Sequence, residues 1–244
     1  MEKLQAPKSA SSFQTKKYNR PARKNLYEKA AWQVQNVVCG IDEVGRGCLA
    51  GPLVAAAVIL PIGKIHPLIK DSKLMDLEER IKAYTWIIKH CNYGIGIVHH
   101  RIIDRHNIWQ ANLIAMQKAV MHLTASTNLH PSAILVDAVP LKLQSPTLAQ
   151  IPVYHFPKGE SLSSSIAAAS IVAKVWRDNL IIRMADSFPG YSLAEHKGYA
   201  TSKHTQSILN QPISIIHRIS FLKWHAAALA EKENNEANQQ QRLC

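Results

Sequence analysis

The chain predicts an α/β or α+β domain in which helices cover both sides of a mixed sheet, with a helical part at the C-terminal end. Two apolar runs, 37–43 and 51–60, are separated by glycines as in a hairpin of buried strands. From residue 76 onward, helix-period and strand-like segments alternate, as in strand–helix–strand units. The 244 residues are 47% hydrophobic, enough for a full core, and no Gly/Ser or Pro-rich linker divides them.

Each element has its own signal. The run 37–43 ends in two acids, and Gly45, Gly47 and Gly51 punctuate the turn before the Ala/Val/Ile-rich run 51–60. Asp76 as N-cap, Glu78 and Glu79 in a first turn, and Ile81, Tyr84, Ile87 and Ile88 at helical spacing predict a helix over 76–90. Tyr93, Ile95 and Ile97 alternate with small residues as a third strand. A long helix follows, with Ile108, Ala111, Ala115, Met116, Ala119, Val120 and Leu123 as its inner stripe. Residues 133–136 form a strand ending at Asp137, 151–156 another, and 161–187 an Ala-rich helix.

Composition narrows the function classes. Lys and Arg number 29 against 17 Asp and Glu, a net charge of +12, which favours a polyanionic partner through phosphate neutralisation. Residues 1–34, a basic extension expected to be flexible, hold eight Lys/Arg against Glu2 and Glu28, so half of the charge belongs to the remaining body and tail. The folded part is expected over 35–228, followed by a polar tail at 229–244. No apolar stretch is long enough to span a membrane, and the basic N-terminus lacks the apolar segment of a secretory signal. Cys39, Cys48, Cys91 and Cys244 form no C-x-x-C pair, which fits a reducing cytoplasm better than a disulfide or zinc framework.

The chemistry concentrates at strand ends. In Gly40-Ile41-Asp42-Glu43-Val44-Gly45-Arg46-Gly47, two adjacent carboxylates close an apolar run, where an ionised pair is costly without a compensating cation. Neighbouring strand residues point to opposite faces, so Asp42 and Glu43 converge on one ion only if the strand ends or twists there. Asp137 ends a second strand, and Glu160 follows Lys158-Gly159 after a third. Singly, these read as a solvated strand end, a turn cap and an acid at a helix start. Together they deliver carboxylates from three strand ends, the pattern that paired Mg²⁺ or Mn²⁺ ions acting on a phosphodiester require. Arg46, between glycines that permit close approach, is suited to a phosphate or sugar oxygen. The spacing Gly45-x-Gly47-x-x-x-Gly51 is no dinucleotide fingerprint.

These blocks resemble bacterial ribonuclease HII. The resemblance rests on Gly40 to Gly47 with Gly51-Pro52, Asp71-Ser72-Lys73, Val136-Asp137, Lys158-Gly159-Glu160, the run from Ser165 to Asp178, and His196-Lys197-Gly198-Tyr199-Ala200-Thr201, in order from about residue 39 to Phe221. It implies a ribonuclease H-like three-layer fold with a mixed central sheet. It also implies a metal-dependent endonuclease acting on the RNA strand of RNA–DNA hybrids or 5′ to a ribonucleotide embedded in duplex DNA, leaving 3′-hydroxyl and 5′-phosphate ends; the chain itself is expected to be a monomer. By the same resemblance, Asp42, Glu43 and Asp137 stand at metal-binding carboxylate positions, and Glu160 at a fourth that is usually Asp. The Gly45-Arg46-Gly47 backbone and Tyr199 stand where the family recognises the 2′-hydroxyl, and Lys73 where it contacts phosphate.

Other residues are read from their positions. His196 replaces a frequent Asn, and Asp178, well inside a helix, is expected in a structural ion pair with a nearby Arg or Lys. The histidines at 99, 100, 106, 204 and 217 lack metal-ligand spacing and read as surface or satisfied core residues; His204, after Lys203, leaves a phosphate contact open. A resolvase or transposase-type nuclease would use a similar acidic cluster on pure DNA, and a noncatalytic binding module would carry vestigial acids. The Gly-Arg-Gly loop with Tyr199 argues against the first, whereas Glu160, off the usual pattern, keeps the second open.

Overall fold

The computed structural model describes residues 24–224 apart from Asp71 and Thr147; the first 23 residues, and the whole tail expected at 229–244, lie outside the described residues. In chain order the elements are α1 (Leu26–Gln33), β1 (Val38–Val44), β2 (Leu53–Ile59), α2 (Leu77–His90), β3 (Asn92–Val98), α3 (His100–Ser126), β4 (Ala133–Asp137), β5 (Val153–Phe156), α4 (Gly159–Leu162), α5 (Ser164–Ala185), α6 (Leu193–His196) and α7 (Ser202–Asn210). Short 3₁₀ turns cover Ser72–Leu74 and Ile219–Phe221. The sheet runs β3-β2-β1-β4-β5, antiparallel among the first three and parallel from β1 through β4 to β5. This is the expected mixed α/β architecture with helical additions at its C-terminal end.

Burial explains the sequence patterns. β2 is buried at every position because helices cover both of its faces, so its run is uninterrupted Leu-Val-Ala-Ala-Ala-Val-Ile. On one face Cys39, Ile41, Ala55 and Val136 pack with Ala111, Ala115 and Met116 of α3. On the other, Val54, Ala56 and Val58 meet Ala83 and Ile87 of α2 and Ile171 and Val172 of α5. Gly40 permits the close approach of α5: a Cβ there would stand 2.1 Å from the carbonyl carbon of Ser165. The N-terminal end of α5 therefore lies directly on β1, two residues from Asp42.

Three boundaries differ from expectation. The body begins before residue 35: Tyr27 of α1 packs its ring 5.2 Å from that of Tyr154 and 5.6 Å from that of Phe156, and Glu28 is fully buried. Its basic, Gln-containing surroundings hide this docking in the sequence. The expected helix 161–187 is two helices, because Ser163 is extended; its Oγ accepts from the Ile166 amide at 3.1 Å and donates to Glu28 Oε1 at 2.6 Å. α3 starts at His100, with Ile103 already in the core and Ile102 packed against it, and Asn107 breaks it with φ 71°, its Oδ1 accepting from Gln110 N, so the stripe predicted from Ile108 onward is the part after the kink. No helix among the described residues is long and apolar enough to cross a membrane.

Candidate active site

The parallel register sets the centre of the site. Ile41 of β1 lies beside Val136 of β4, so the next residues, Asp42 and Asp137, are neighbours. Alternation places both on the face that α5 covers, since Ile41 and Val136 point to the α3 side. The chain after β5 turns through Lys158, whose backbone is left-handed at φ 59°, and α4 delivers Glu160 in its first turn. Asp137 Oδ1 accepts from the Gly159 amide at 2.8 Å, which locks this turn to β4. One carboxylate oxygen from each of Asp42, Asp137 and Glu160 lies within 4.8 Å of the others. Asp42 and Glu160 are buried and Asp137 is half-buried.

Serines hold Glu160 in place. Its Oε2 accepts from the Ser72 amide at 3.0 Å, and its Oε1 accepts from Ser170 Oγ at 3.1 Å. Ser72 and Ser170 meet each other, Oγ to Oγ, at 2.9 Å. Burial pushes the Asp42 carboxyl well above the ordinary carboxylate range, and the nearby charges of Glu43, Asp137 and Glu160 add to the shift, against a lowering hydrogen bond from Ser170. Three hard oxygen donors that repel one another in a desolvated pocket are suited to a divalent cation with a preference for oxygen ligands.

Glu43 points elsewhere. It lies one residue from Asp42 and so on the α3 side of β1, where its Oε1 accepts from Arg46 Nη1 at 3.2 Å. Its Oε2 is buried with no hydrogen-bond partner among the described residues. Burial raises its pKa while Arg46 opposes the shift. The strand twist expected to bring both acids onto one point is thus incomplete: the trio contains Asp42 without Glu43. Glu43 still lines the same cleft of about 300 Å³ that holds the trio, Arg80, Lys174 and Tyr199.

The Gly45–Gly47 loop follows directly on Val44, which lines this cleft, and two buried arginines hold the backbone around it. Arg177 donates to the carbonyls of Pro52, Lys197 and Ala50 at 3.0, 2.9 and 3.1 Å. Arg218 donates to those of Gly51 and Arg46 at 3.1 and 3.0 Å. Gly45 has φ +92°, and a Cβ there would meet Arg177 Nε at 2.3 Å, so both backbone conformation and space demand glycine. The Arg46 side chain is 42% exposed, and the Gly47 Cα faces open space. Tyr199 pairs with Cys48 in an isolated antiparallel bridge. Lys174 Nζ stands 4.8 Å from its ring centroid, and burial pushes its phenol up to about 12.

Lys73 falls in the Ser72–Leu74 turn, and its side chain lies outside the described residues. The expected ion pair of Asp178 forms with Lys174 at 3.1 Å. His204 is fully buried, which removes it as a phosphate contact. Ser170, Lys174 and Arg80 are not singled out by the sequence. Ser170 and Lys174 carried a usable signal, since polar residues four apart within the apolar run 166–176 mark the stripe of α5 that faces the cleft. Arg80, which donates to the carbonyls of Ser72 and Met75 at 3.1 and 2.8 Å, looks in sequence like any solvated helix charge.

The comparisons with known proteins bear on the family and the fold. The family model described as ribonuclease HII matches residues 39–224. A ribonuclease HII of Alkaliphilus metalliredigens is 44% identical over 189 residues, covering 76% of this chain and 90% of that protein. One of Geobacter sulfurreducens is 43% identical over 202 residues, 82% of this chain and 89% of its own. Among solved structures, the ribonuclease H2 of Pyrococcus horikoshii superposes with a TM-score of 0.64 at 24% identity, over 80% of this chain and 98% of that one. A Bst-RNase HIII crystallised with Mn²⁺ gives a TM-score of 0.56 at 19% identity, over 83% and 73%. At these identities the structural likenesses speak for the fold.

Proposed function

The chain belongs to the ribonuclease HII family of hydrolytic nucleases, which act on RNA–DNA hybrids, and we propose that it cuts the RNA strand of such hybrids and the phosphodiester 5′ to a ribonucleotide embedded in duplex DNA. The observation that carries this reading is the approach of Asp42, Asp137 and Glu160 to within 4.8 Å at the floor of an open cleft. Two Mg²⁺ or Mn²⁺ ions held by these carboxylates with Glu43 would supply a nucleophilic water at neutral pH and charge to offset the leaving 3′ oxygen. Products with 3′-hydroxyl and 5′-phosphate ends follow from attack by water on the phosphorus with departure of the 3′ oxygen.

The chain's own residues bind and orient. Ser72 and Ser170 fix the direction of Glu160, and the Gly159 amide that of Asp137, so the oxygens are set before any ion arrives. In this reading the Gly45–Gly47 backbone, open to solvent at the Gly47 Cα, approaches the ribose and donates to its 2′-hydroxyl. Tyr199 stacks on the neighbouring sugar or base, and the 2′-hydroxyl thereby distinguishes RNA from DNA. Arg46 and Lys73 neutralise flanking phosphates. Cys39, Cys48 and Cys91 are unpaired, in keeping with a cytoplasmic setting.

The test is a DNA duplex with one ribonucleotide beside the matching all-DNA duplex, each with Mg²⁺, Mn²⁺ or chelator. A metal-dependent cut 5′ to the ribonucleotide, absent from the control, is expected. Equal cutting of both duplexes would replace this reading with a DNA nuclease, and tight binding without cutting by either ion would replace it with a noncatalytic module.

A further inference from the structure

Behind the Gly45–Gly47 loop lies a buried group of histidines outside the carboxylate cleft. His204 and His217 are 0% and 1% exposed, and their Nε2 atoms meet at 3.1 Å. His196 is buried and stacks on His204, centroids 4.1 Å apart at 19°. Among the described residues only Asp42, Asp137 and Glu160 form a group of three potential ligands able to hold a metal ion, so these rings need another account.

Their partners dictate one set of tautomers. His204 Nδ1 faces the Tyr199 carbonyl at 2.9 Å and must carry the hydrogen, leaving Nε2 a bare acceptor. His217 Nε2 must then donate to it, which leaves His217 Nδ1 to accept from the Ser214 amide and hydroxyl at 3.2 and 2.8 Å, in preference to donating to the Ser214 carbonyl, which lies farther away at 3.3 Å. His196 donates from Nε2 to the Tyr191 carbonyl at 2.7 Å and accepts at Nδ1 from the Gly198 amide at 3.1 Å. A second proton on His204 or His217 would set two N–H groups against each other or against the Ser214 amide. Burial, with His196 and His217 nearby, holds the pKa of His204 down at about 4.

The chain ends of this relay flank the segment 48–51, which directly continues the Gly45–Gly47 loop and is joined to it by the Cys48 amide donating to the Gly45 carbonyl at 3.4 Å. On one side the Leu49 amide donates to the Gly198 carbonyl at 2.8 Å and Cys48 bridges Tyr199. On the other, Ala50 bridges His217, the Gly51 amide donates to Ile216 and the Arg218 amide donates to Leu49, at 2.9 and 2.8 Å. The segment 48–51 is thus a middle strip between residues 198–199 and 216–218, and the His204–His217 bond ties the two outer strips across its back.

We propose that His204 and His217, in the fixed tautomers Nδ1–H and Nε2–H, are positioning residues that set Tyr199 and the Gly45–Gly47 backbone in register for the substrate ribose. This rests on the reading of those two elements as the 2′-hydroxyl recognition site. It needs the rings neutral and paired, a stricter demand than filling space.

Two measurements test it. Ring-nitrogen NMR of the full chain, which needs no substrate, is expected to show Nδ1–H on His204 and Nε2–H on His217; the opposite tautomer on either ring would overturn the relay. The second is a double-mutant cycle on the single-ribonucleotide duplex. His204→Leu is expected to lower kcat/KM by about 10- to 100-fold, the scale of a misplacement of about 1 Å, while Mn²⁺ affinity stays unchanged. His204→Asn, whose amide can restore the contact to the Tyr199 carbonyl but not the bond to His217, is expected to recover only part of the loss. In a Tyr199→Ala background the effect of His204→Leu should shrink strongly, because its target is gone. Full additivity, or a loss that His204→Asn leaves in place, would overturn the positioning role. A wild-type chain that cuts no ribonucleotide duplex would overturn the proposed function instead, and the tautomer spectrum would still decide the relay.

Discussion

Asp42 is held in a site that its own charge opposes. It is 5% exposed, beside Asp137 and near Glu160, and its pKa lies well above the usual range. A carboxyl whose folded pKa is raised stabilises the fold at acid pH, and that contribution is lost as pH rises from the unfolded value near 4 through the folded one. At neutral pH without metal, the ionised group is therefore a net cost. Asp42→Asn keeps the shape and removes the charge. In chelator at pH 7 it is expected to melt a few degrees above wild type, from about 1–2 kcal/mol for a chain of this size, and the gap should close toward pH 4. The same variant should lose cleavage by at least about 1,000-fold while still binding the hybrid. A metal-free Asn variant no more stable than wild type in a calorimetric pH series would remove the electrostatic account, and full activity would remove the metal role. Glu43 tempers how much of this is legible in sequence: an adjacent pair of acids shows in the letters, but only the strand's facing shows that they divide between α5 and α3.

At the scale of elements, the site depends on where α4 and α5 begin. Glu28 of α1 reaches across to those starts, its Oε1 accepting from Ser163 Oγ at 2.6 Å and from the Ser165 amide at 3.0 Å. A buried acid at the N-terminal end of α5 meets the partial positive charge of that end and satisfies amides that the helix leaves open. Glu28→Ala removes a charged acceptor from two buried donors and is expected to cost about 2–3 kcal/mol in urea denaturation. Because Ser170 and Glu160 ride on these helices, Mn²⁺ affinity should fall with it. A change below about 0.5 kcal/mol would mean that α1 merely rests on the surface. The sequence showed β1, β4 and α5 plainly, since apolar runs ending in acids and a long Ala-rich stretch have few other structural readings. It concealed α1, the break at Ser163 and the roles of Ser170 and Lys174. Those depend on contacts between residues as far apart as Glu28 and Ser163, which no local period records.

For the whole molecule, the charge of +12 and the position of α1 bear on one question, what the N-terminal extension does. Residues 1–23 carry Lys3, Lys8, Lys16, Lys17, Arg20 and Arg23 against Glu2 alone, and they precede the first described residue, Lys24. A cut after residue 34, the boundary that composition suggests, would remove Glu28 and confuse a folding defect with a binding defect. Removing residues 1–23 spares α1 and isolates the charge. If the extension tethers the duplex, each of its phosphate contacts releases condensed counterions, and log affinity falls against log salt with a slope of about 0.9 per contact. The truncated chain is then expected to bind a ribonucleotide-containing duplex more weakly at low salt, with a slope shallower by roughly 2–5. The two chains should converge as salt rises toward roughly 0.5 M, where charges beyond contact are screened. Because the carboxylates, Tyr199 and the Gly45–Gly47 loop are untouched, kcat should hold and KM should carry the whole change. Identical slopes by fluorescence anisotropy across a salt series would reduce the extension to a solubility tail, and a fall in kcat would place it in the cleft itself.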